Sequence, residues 1–399
     1  MDLSRRAFLG TVPAAAAVAR WPGAPTLSDP LGVRDDFPVA SRVTYLNSAY
    51  ITPSPAPVIA AARGFLESKS TGPVSLGDML GEVDRVRQGF ADLIHVSQEE
   101  VGVLFSTSDG ENIVTQALDL QPGDNVVVDD LHYETTYLLY QELAKERGIE
   151  LRIVRNSGGA VPPEAFEALV DDRTRLVSVA WVSHQNGFRH DLAALAEIAH
   201  AKGAFLYTDA IQGMGAVELD AAATGVDFLA AGTYKWLLGG YGVAPFYVRR
   251  ELLDLVRPDR FGSLNIEETL AEHTYKVYDD GRKYGYATMA FGAVYQLGAA
   301  LDYLAEVTVP RIEAHALPLA QHLRAELSAL GFDVLTPEGN RSPIVAFAHG
   351  RSPQRMEDIL AQSQVQVSLR EEGTQIRAGV ALFNTADDVD LFLEVMAGA

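Results

Sequence analysis

The chain contains no cysteine among its 399 residues. This absence excludes disulfide bonds, zinc–thiolate sites and every mechanism that uses a cysteine nucleophile, and we predict no metal site. The rest of the composition gives no sign of disorder, collagen or a disulfide scaffold. Because 48% of the residues are hydrophobic, a chain of this length can bury a large core in two or three structural units.

Basic residues are also scarce. Lysine and arginine number 32 against 53 aspartates and glutamates, which gives a net charge of −21. A surface of this sign repels phosphate groups, so nucleic acids and anionic membranes are excluded as partners. The apolar stretch near the N-terminus is too short for a membrane span, which needs about 20 residues.

The N-terminus carries the pattern of an export signal. Arg5 and Arg6 precede a mild apolar stretch, and the small residues Ala17 and Ala19 mark a cleavage site. The pattern resembles a twin-arginine signal, whose pathway moves folded proteins. We therefore expect residues 1–19 to be a signal and the mature protein to work in the periplasm or outside the cell. The alternative is an alanine-rich tail on a cytoplasmic protein.

Strand-like and helix-like segments alternate from residue 101 to residue 248. This spacing is typical of a mostly parallel sheet with helices on both faces. The sequence predicts a strand over 101–107, a helix over 112–118 and a loop-rich segment over 256–290. A change of pattern near residue 300 indicates a smaller second unit. We expect four parts, namely the signal (1–19), an N-terminal segment (20–60), a large domain (61–300) and a small C-terminal domain (301–399).

Two charged residues follow buried strands in the middle of the chain. One apolar strand ends at Asp209, and the next, Val226 to Ala231, is followed by Lys235. Open α/β sheets bind their ligands at the carboxyl ends of such strands. An amine and a carboxylate there suit pyridoxal phosphate, because the lysine forms an imine with the aldehyde and the aspartate keeps the pyridine nitrogen protonated. The pair alone fits two ordinary solvent-facing charges equally well.

Three other strand ends present polar groups. Ser108, Asp109 and Gly110 lie between a strand and a helix, where open N–H groups suit either an anion or a simple helix cap by Ser108 or Asp109. Tyr133 follows the next strand and suits stacking on a flat ring, although it also suits ordinary packing. His184 lies in a polar cluster after a further strand. All of these strand ends point to the same sheet edge.

A family resemblance rests on these residues and on four segments of the chain: Asp209-x-x-Gln212, Thr233 to Leu237, Ala287-Thr288, and Arg377 to Asp390. The chain resembles the class V aminotransferase-like branch of the fold-type I pyridoxal phosphate enzymes, which includes cysteine desulfurases, kynureninases and isopenicillin N epimerase. The resemblance runs from about Tyr45 to the C-terminus. It implies a mostly parallel seven-stranded sheet between helices, a smaller C-terminal α+β domain, and pyridoxal 5'-phosphate as cofactor.

The resemblance implies a role for each residue around the cofactor ring. Lys235 is the imine lysine and moves protons once a substrate releases it. Asp209 pairs with the pyridinium nitrogen, Gln212 reaches the phenolic oxygen, and Tyr133 stacks on the ring. His184 stands where many relatives carry asparagine near the ring oxygen, although a structural histidine fits that position nearly as well.

The resemblance also implies a phosphate site. Ser108, Asp109 and Gly110 fall on the phosphate loop, and Tyr234 matches a kynureninase tyrosine that reaches the phosphate. Asp109 departs from the family pattern because a carboxylate cannot bind a dianion, so only its N–H group should contribute. Thr288 matches a residue that serves the neighbouring subunit, which implies a homodimer with composite sites.

The substrate is expected to be a small amino compound with a carboxylate. Arg377 matches the arginine that grips this carboxylate with its planar fork, and the alternative is an internal salt bridge. Our leading expectation is transamination of an amino acid or an amino-acid-derived metabolite. The alternatives are an epimerase, a C–S or C–C lyase, or a pyridoxal-binding protein without turnover. The missing cysteine leads us to exclude a persulfide-forming cysteine desulfurase.

Overall fold

The computed structural model describes residues 29–399. The predicted signal at residues 1–19 lies outside this range, as does the start of the predicted N-terminal segment, so the signal stays a prediction. None of the helices in the described range is both long enough and apolar enough to cross a membrane.

Strands and helices alternate through most of the described chain. The strands are β1 (Thr44–Tyr45), β2 (Val101–Leu104), β3 (Asn125–Asp129), β4 (Glu150–Val154), β5 (Thr174–Ala180), β6 (Phe205–Asp209), β7 (Phe228–Ala230), β8 (Ala244–Val248), β9 (Ile266–Thr269), β10 (Tyr275–Val277), β11 (Asp333–Val334), β12 (Ile344–Ala348), β13 (Val365–Gln366), β14 (Ser368–Arg370) and β15 (Gln375–Gly379).

The α-helices are α1 (Ala56–Thr71), α2 (Leu76–Leu93), α3 (Thr107–Ala117), α4 (Glu134–Arg147), α5 (Pro163–Glu167), α6 (Leu192–His200), α7 (Ala221–Thr224), α8 (Phe291–Val307), α9 (Val309–Ala329), α10 (Pro353–Gln362) and α11 (Ala386–Ala397). Short 3₁₀ helices lie at Arg34–Asp36, Pro38–Ser41, Gln98–Glu100, Arg250–Leu252, Ser263–Asn265 and Gly281–Tyr284.

Seven strands form the central sheet in the order β2-β8-β7-β6-β5-β3-β4. All neighbours are parallel except β8, which runs antiparallel to both β2 and β7. Successive side chains of a strand point to opposite faces, so Val126 and Val128 enter one apolar core while Val127 enters the other. The predicted mostly parallel seven-stranded α/β fold is confirmed.

A smaller antiparallel sheet, β11-β12-β15-β14, lies in the C-terminal part of the chain. Its apolar face packs with α9, α10 and α11 around a third core. The N-terminal segment joins this unit, because β1 pairs in parallel with β13 and Arg34 forms a 2.6 Å salt bridge with Asp388. The predicted boundary near residue 300 falls within α8, and the division into domains stays a prediction.

The start of α3 differs from the sequence prediction. The helix begins at Thr107 instead of residue 112. Ser106 is its cap, since its hydroxyl accepts the Asp109 N–H at 3.3 Å while the Asp109 carboxylate accepts the Ser106 N–H at 3.1 Å. This reciprocal capping box shows that the prediction of Ser108 or Asp109 as the cap was wrong.

The segment predicted to be loop-rich contains a hairpin. Strands β9 and β10 pair antiparallel, and Lys276 pairs with Glu267 at 2.6 Å. Both strands are short and largely exposed. They therefore lack the apolar alternation that makes a half-buried strand visible in a sequence.

Candidate active site

A cavity of about 360 Å³ opens at the carboxyl ends of the central strands. Eight predicted site residues line it, namely Ser108, Tyr133, His184, Asp209, Gln212, Tyr234, Lys235 and Arg377. Asp109, Gly110 and Thr288 do not line it. The cavity is also lined by residues that we did not predict, among them Tyr50, Ser106, Thr107, Tyr241 and Arg370.

Asp209 ends the strand at the centre of this edge. In the sheet register it lies between Ala180 of β5 and Ala230 of β7. Its Oδ1 accepts the N–H of Ile211 at 2.9 Å. Burial raises the pKa of the Asp209 carboxyl, and the nearby His132 opposes that rise. A buried carboxylate of this kind is stabilised by a cationic partner such as a protonated ring nitrogen.

Lys235 lies in the tight connection between β7 and β8. The Thr233 hydroxyl closes this connection by donating to the Gly240 carbonyl at 2.6 Å, and the Leu238 N–H donates to the Lys235 carbonyl at 2.9 Å. Burial lowers the pKa of the Lys235 amine to about 8, and the Asp209 charge opposes this decrease. Much of the amine is therefore neutral near that pH, which is the form that reacts with an aldehyde.

The N-terminus of α3 lies at one end of the cavity and is suited to an anion. Ser106, Thr107 and Ser108 line the cavity there, and the first N–H groups of a helix attract anions. The Thr107 hydroxyl accepts the Gly232 N–H at 2.8 Å, which ties this helix end to the segment that carries Lys235. Thr107 belongs to the same run of small hydroxyl residues as Ser108, and that run could have revealed it.

Asp109 and Gly110 follow in the same helical turn but face elsewhere. The Asp109 side chain turns back to cap Ser106 and pairs with Arg260 at 3.2 Å. Gly110 lies against the sheet, where an added Cβ would be 2.8 Å from the Ala230 Cβ. The close approach of α3 to β7 thus requires a glycine, and any contribution of these two residues to phosphate binding stays a prediction.

Arg377 is a buried cation on β15. Its Nη1 donates to the His184 carbonyl at 2.5 Å and its Nη2 to the Ser368 hydroxyl at 3.2 Å. Its Nε has no hydrogen-bond partner, and among residues 29–399 no carboxylate lies within salt-bridge distance of it, so the internal salt bridge considered from the sequence is not found. Burial and, to a smaller extent, the charge of Arg370 lower the pKa of Arg377 to about 10.

Arg370 lines the cavity beside Arg377, although no sequence signal identified it. It lies on β14, which pairs with β15, and its closest carboxylate is that of Glu134, at 4.0 Å. The register of two short strands places it here, and this register is not visible in the sequence. The cavity therefore holds two guanidinium groups that are available to anionic groups of a substrate.

His184 is a buried imidazole whose two ring nitrogens both lack hydrogen-bond partners. Burial, reinforced by Arg370 and Arg377, holds the pKa of His184 far below its usual range, so the ring is neutral. Tyr133 meets it edge-on, with ring centroids 5.1 Å apart. Buried polar atoms without partners are costly, which indicates that a polar group completes this part of the cavity.

Gln212 and Tyr234 are held in place by neighbours. The Gln212 amide donates to the Ala49 carbonyl at 2.9 Å and accepts from the Trp236 indole at 3.0 Å, which leaves one amide hydrogen free. Tyr234 stacks on Tyr241, with centroids 4.8 Å apart. Burial raises the pKa of Tyr234 to about 12, so its hydroxyl remains a hydrogen-bond donor.

The residues present fit pyridoxal phosphate. A buried carboxylate suits the pyridine nitrogen, a largely neutral amine suits the aldehyde, and a helix N-terminus with three hydroxyl groups suits the phosphate. The unpaired nitrogens of His184 provide polar contacts beside the ring position.

Comparison with known proteins agrees with this fit. Residues 44–392 match the family model described as aminotransferase class-V. The chain is 29% identical over 392 residues to a probable cysteine desulfurase of Methanothermobacter thermautotrophicus, covering 92% of this chain and 98% of that protein. It is 30% identical over 335 residues to a cysteine desulfurase of Dickeya dadantii, covering 80% and 81% respectively.

A solved structure also matches nearly the whole chain. The apo structure of a cysteine desulfurase from Thermococcus onnurineus superposes with a TM-score of 0.83 at 25% identity, and the match covers 94% of this chain and 98% of that one. The predicted resemblance to the class V branch is therefore confirmed.

The predicted reaction, in contrast, was wrong. Transamination was our leading expectation and a persulfide-forming cysteine desulfurase was excluded, whereas the three proteins compared above are named as cysteine desulfurases or probable cysteine desulfurases. The error was to treat the missing cysteine as evidence against persulfide formation, and the C–S lyase kept as an alternative agrees better with these relatives. A cysteine of the enzyme is one possible sulfur acceptor, and its absence does not prevent cleavage of a C–S bond.

Proposed function

The chain belongs to the class-V aminotransferase family and uses pyridoxal 5'-phosphate, and on that premise we propose that it is a lyase that breaks the C–S bond of a sulfur-containing amino acid. The observation that carries this proposal is a single cavity lined by Lys235, Asp209 and Arg377. Among the described residues, Arg377 has no carboxylate partner. Support for sulfur chemistry comes from two relatives, one named a probable cysteine desulfurase and the other a cysteine desulfurase.

Each of these residues has a task in such a reaction. When bound, the cofactor supplies an electron sink that weakens bonds at and next to the α-carbon of an amino acid. Arg377 binds the α-carboxylate through its planar fork. Lys235 has a lowered pKa, so its neutral amine can take a proton from the substrate. The resulting ammonium group then returns a proton. Asp209 balances positive charge on the ring.

The remaining predicted contacts are part of the same proposal. Ser108 and Tyr234 would hold the phosphate, Tyr133 would pack against the ring, and Gln212 would offer its free amide hydrogen to the phenolic oxygen. His184 presents a neutral imidazole nitrogen to the same region. Their positions around one cavity support these roles.

The sulfur acceptor lies outside this chain in our proposal. The sequence contains no cysteine, so two routes are open. In the first, a thiol of a second molecule takes the substrate sulfur as a persulfide, and the rest of the amino acid leaves as alanine. In the second, elimination releases sulfide, and the rest of the amino acid is hydrolysed to pyruvate and ammonia. A small-molecule thiol and a cysteine of another protein both provide the required chemistry.

The direct test is sulfur release. The purified protein, loaded with pyridoxal phosphate, is given L-cysteine or L-cystine with and without an added thiol such as dithiothreitol, and sulfide, persulfide, alanine and pyruvate are measured. We expect sulfur release from wild type and none from Lys235→Ala. If wild type binds the cofactor but releases no sulfur from either amino acid, the proposal is wrong.

We also propose a homodimer with composite sites. Thr288 is exposed and lies outside the cavity of its own subunit, as expected of a residue that serves a partner. Phe105, Tyr241 and Tyr50 line the cavity yet are 71%, 61% and 51% exposed. Large apolar groups exposed together are typical of a surface covered by another molecule.

Export remains a further proposal, supported by Arg5, Arg6 and the small residues at Ala17 and Ala19. A reporter fused after residue 30 should leave the cytoplasm, and replacing both arginines by lysine should retain it there. A reporter that remains cytoplasmic with the native arginines would contradict the proposal.

A further inference from the structure

A carboxylate lies next to the proposed phosphate site. Asp109 is in the first turn of α3, directly after the residues that line the cavity. Its Oδ2 is 3.2 Å from the hydroxyl oxygen of Ser106, which is itself a lining residue. A dianion bound at this helix end is therefore within a few ångströms of a negative charge, and like charges at that distance repel.

Arg260 provides the opposite charge. Its Nη2 is 3.2 Å from the Asp109 Oδ1, so one carboxylate oxygen caps the helix while the other meets the guanidinium. The Arg260 guanidinium also pairs with Asp259 at 3.0 Å and lies 5.7 Å from the centre of the Tyr286 ring. These contacts hold the cation beside the start of α3.

We propose that Arg260 is a positioning residue for the cofactor phosphate, and that it acts by neutralising Asp109 beside the anion site. The proposal goes beyond the reaction and rests only on pyridoxal phosphate being the cofactor. It explains how a carboxylate can occupy the turn that binds a dianion. Asp109 supplies the capping box that orders the helix end, and Arg260, which it shares with Asp259, reduces the electrostatic penalty.

The segment that carries Arg260 thereby gains a function. It lies in the chain between β8 and the hairpin of β9 and β10, where the sequence indicated only loop. Arg260 is 43% exposed and Asp109 is 18% exposed, so solvent screens the pair in part, and its effect on folding stability is small. Its effect on a nearby dianion is larger, because removing the cation leaves an uncompensated carboxylate at the site.

The test measures cofactor affinity instead of turnover. Apoprotein is titrated with pyridoxal phosphate, and the dissociation constant is read from the change in absorbance or protein fluorescence. We expect Arg260→Ala to weaken binding about tenfold, in line with like-charge repulsion at partly screened distances. Arg257→Ala removes the same charge from the same segment, at an exposed residue, and should change the constant less than about twofold.

Two rescue measurements separate charge from structure. Asp109→Asn keeps a capping oxygen but removes the negative charge, so the Asp109→Asn/Arg260→Ala double variant should bind the cofactor nearly as tightly as Asp109→Asn alone. Pyridoxal, which lacks the phosphate, should bind wild type and Arg260→Ala equally. The inference is overturned if the double variant stays as weak as Arg260→Ala, or if pyridoxal binding falls by the same factor. Neither result would affect the proposed C–S cleavage.

Discussion

Lys235 shows how charge is balanced at single residues in this site. Its amine is buried with one carboxylate, Asp209, and with two arginines that disfavour a further positive charge. Burial lowers the pKa of Lys235 to about 8. The same burial raises the pKa of Asp209. Burial thus disfavours the charged form of both groups, and a protonated ring nitrogen of a bound cofactor would stabilise the Asp209 carboxylate.

The capture of the cofactor should depend on pH in a defined direction. Because only the neutral amine attacks the aldehyde, the rate at which apoprotein develops the visible absorbance with pyridoxal phosphate should rise with pH and level off above about 8. Stopped-flow absorbance between pH 6 and pH 10 measures this. Asp209→Asn removes the charge that raises the lysine pKa, so the midpoint should move lower. A midpoint unchanged by that substitution would contradict the assigned coupling.

Truncation of Arg377 should weaken substrate binding. Hydrogen bonds to a charged group contribute about 1.5–3 kcal/mol, so Arg377→Ala should raise KM for a carboxylate substrate about 10- to 100-fold while the absorbance of the bound cofactor stays intact. Steady-state kinetics and a spectrum of the same preparation measure both. Arg355→Ala, on an exposed face of α10, is the matched control. An unchanged KM would remove Arg377 from the substrate site.

At the scale of elements, the site depends on how strands end and helices begin. The apolar strands were predictable because Val126 to Val128 and similar runs are long enough to be seen, and this placed Asp209, Tyr133 and Lys235 correctly at strand ends. The start of α3 was missed because the sequence fits a capping box that begins at Ser106 and one that begins at Ser108 equally well. Tertiary packing decides between them, and the close contact of Gly110 with the sheet reflects the observed start of the helix.

Gly110→Ala should destabilise the protein. The new methyl group would lie 2.8 Å from the Ala230 Cβ and 3.1 Å from the Phe246 ring, so α3 must shift or strain, at a cost of about 1–3 kcal/mol. Gly81→Ala is the matched control, since it is an exposed residue of α2 with open space around it, and it should stabilise by up to about 1 kcal/mol. Urea unfolding of both variants measures the difference. Equal stability of Gly110→Ala and wild type would refute the packing constraint.

At the scale of the whole molecule, the site draws on distant parts of the chain. Tyr50, Lys235 and Arg377 line one cavity although they belong to the N-terminal segment, the large sheet and the small sheet. Sequence motifs marked the second and third of these. Arg370 and Tyr50 could not be predicted, because their positions depend on the β14–β15 register and on the pairing of β1 with β13. Each of these pairings includes a strand of only two or three residues.

Subunit mixing tests the composite site. A Lys235→Ala subunit still offers Thr288 to its partner, and a Thr288→Ala subunit still offers its own Lys235. In a mixed dimer one of the two sites is therefore complete, so co-expression should recover cofactor affinity and activity that neither variant dimer has. Recovery should be absent if Thr288 serves its own subunit, and sedimentation analysis of wild type supplies the oligomeric state.

The parallel pairing of β1 with β13 affects how the protein is made. The Asn47 side chain accepts the Ser368 hydroxyl at 2.5 Å, and the Gly379 N–H donates to the Leu46 carbonyl at 2.7 Å. The segment that leads to Tyr50 is therefore held by β14 and β15, which come late in the chain. Because strands near the C-terminal end hold the cavity wall at Tyr50, we expect the cavity to be completed only after those strands have been made.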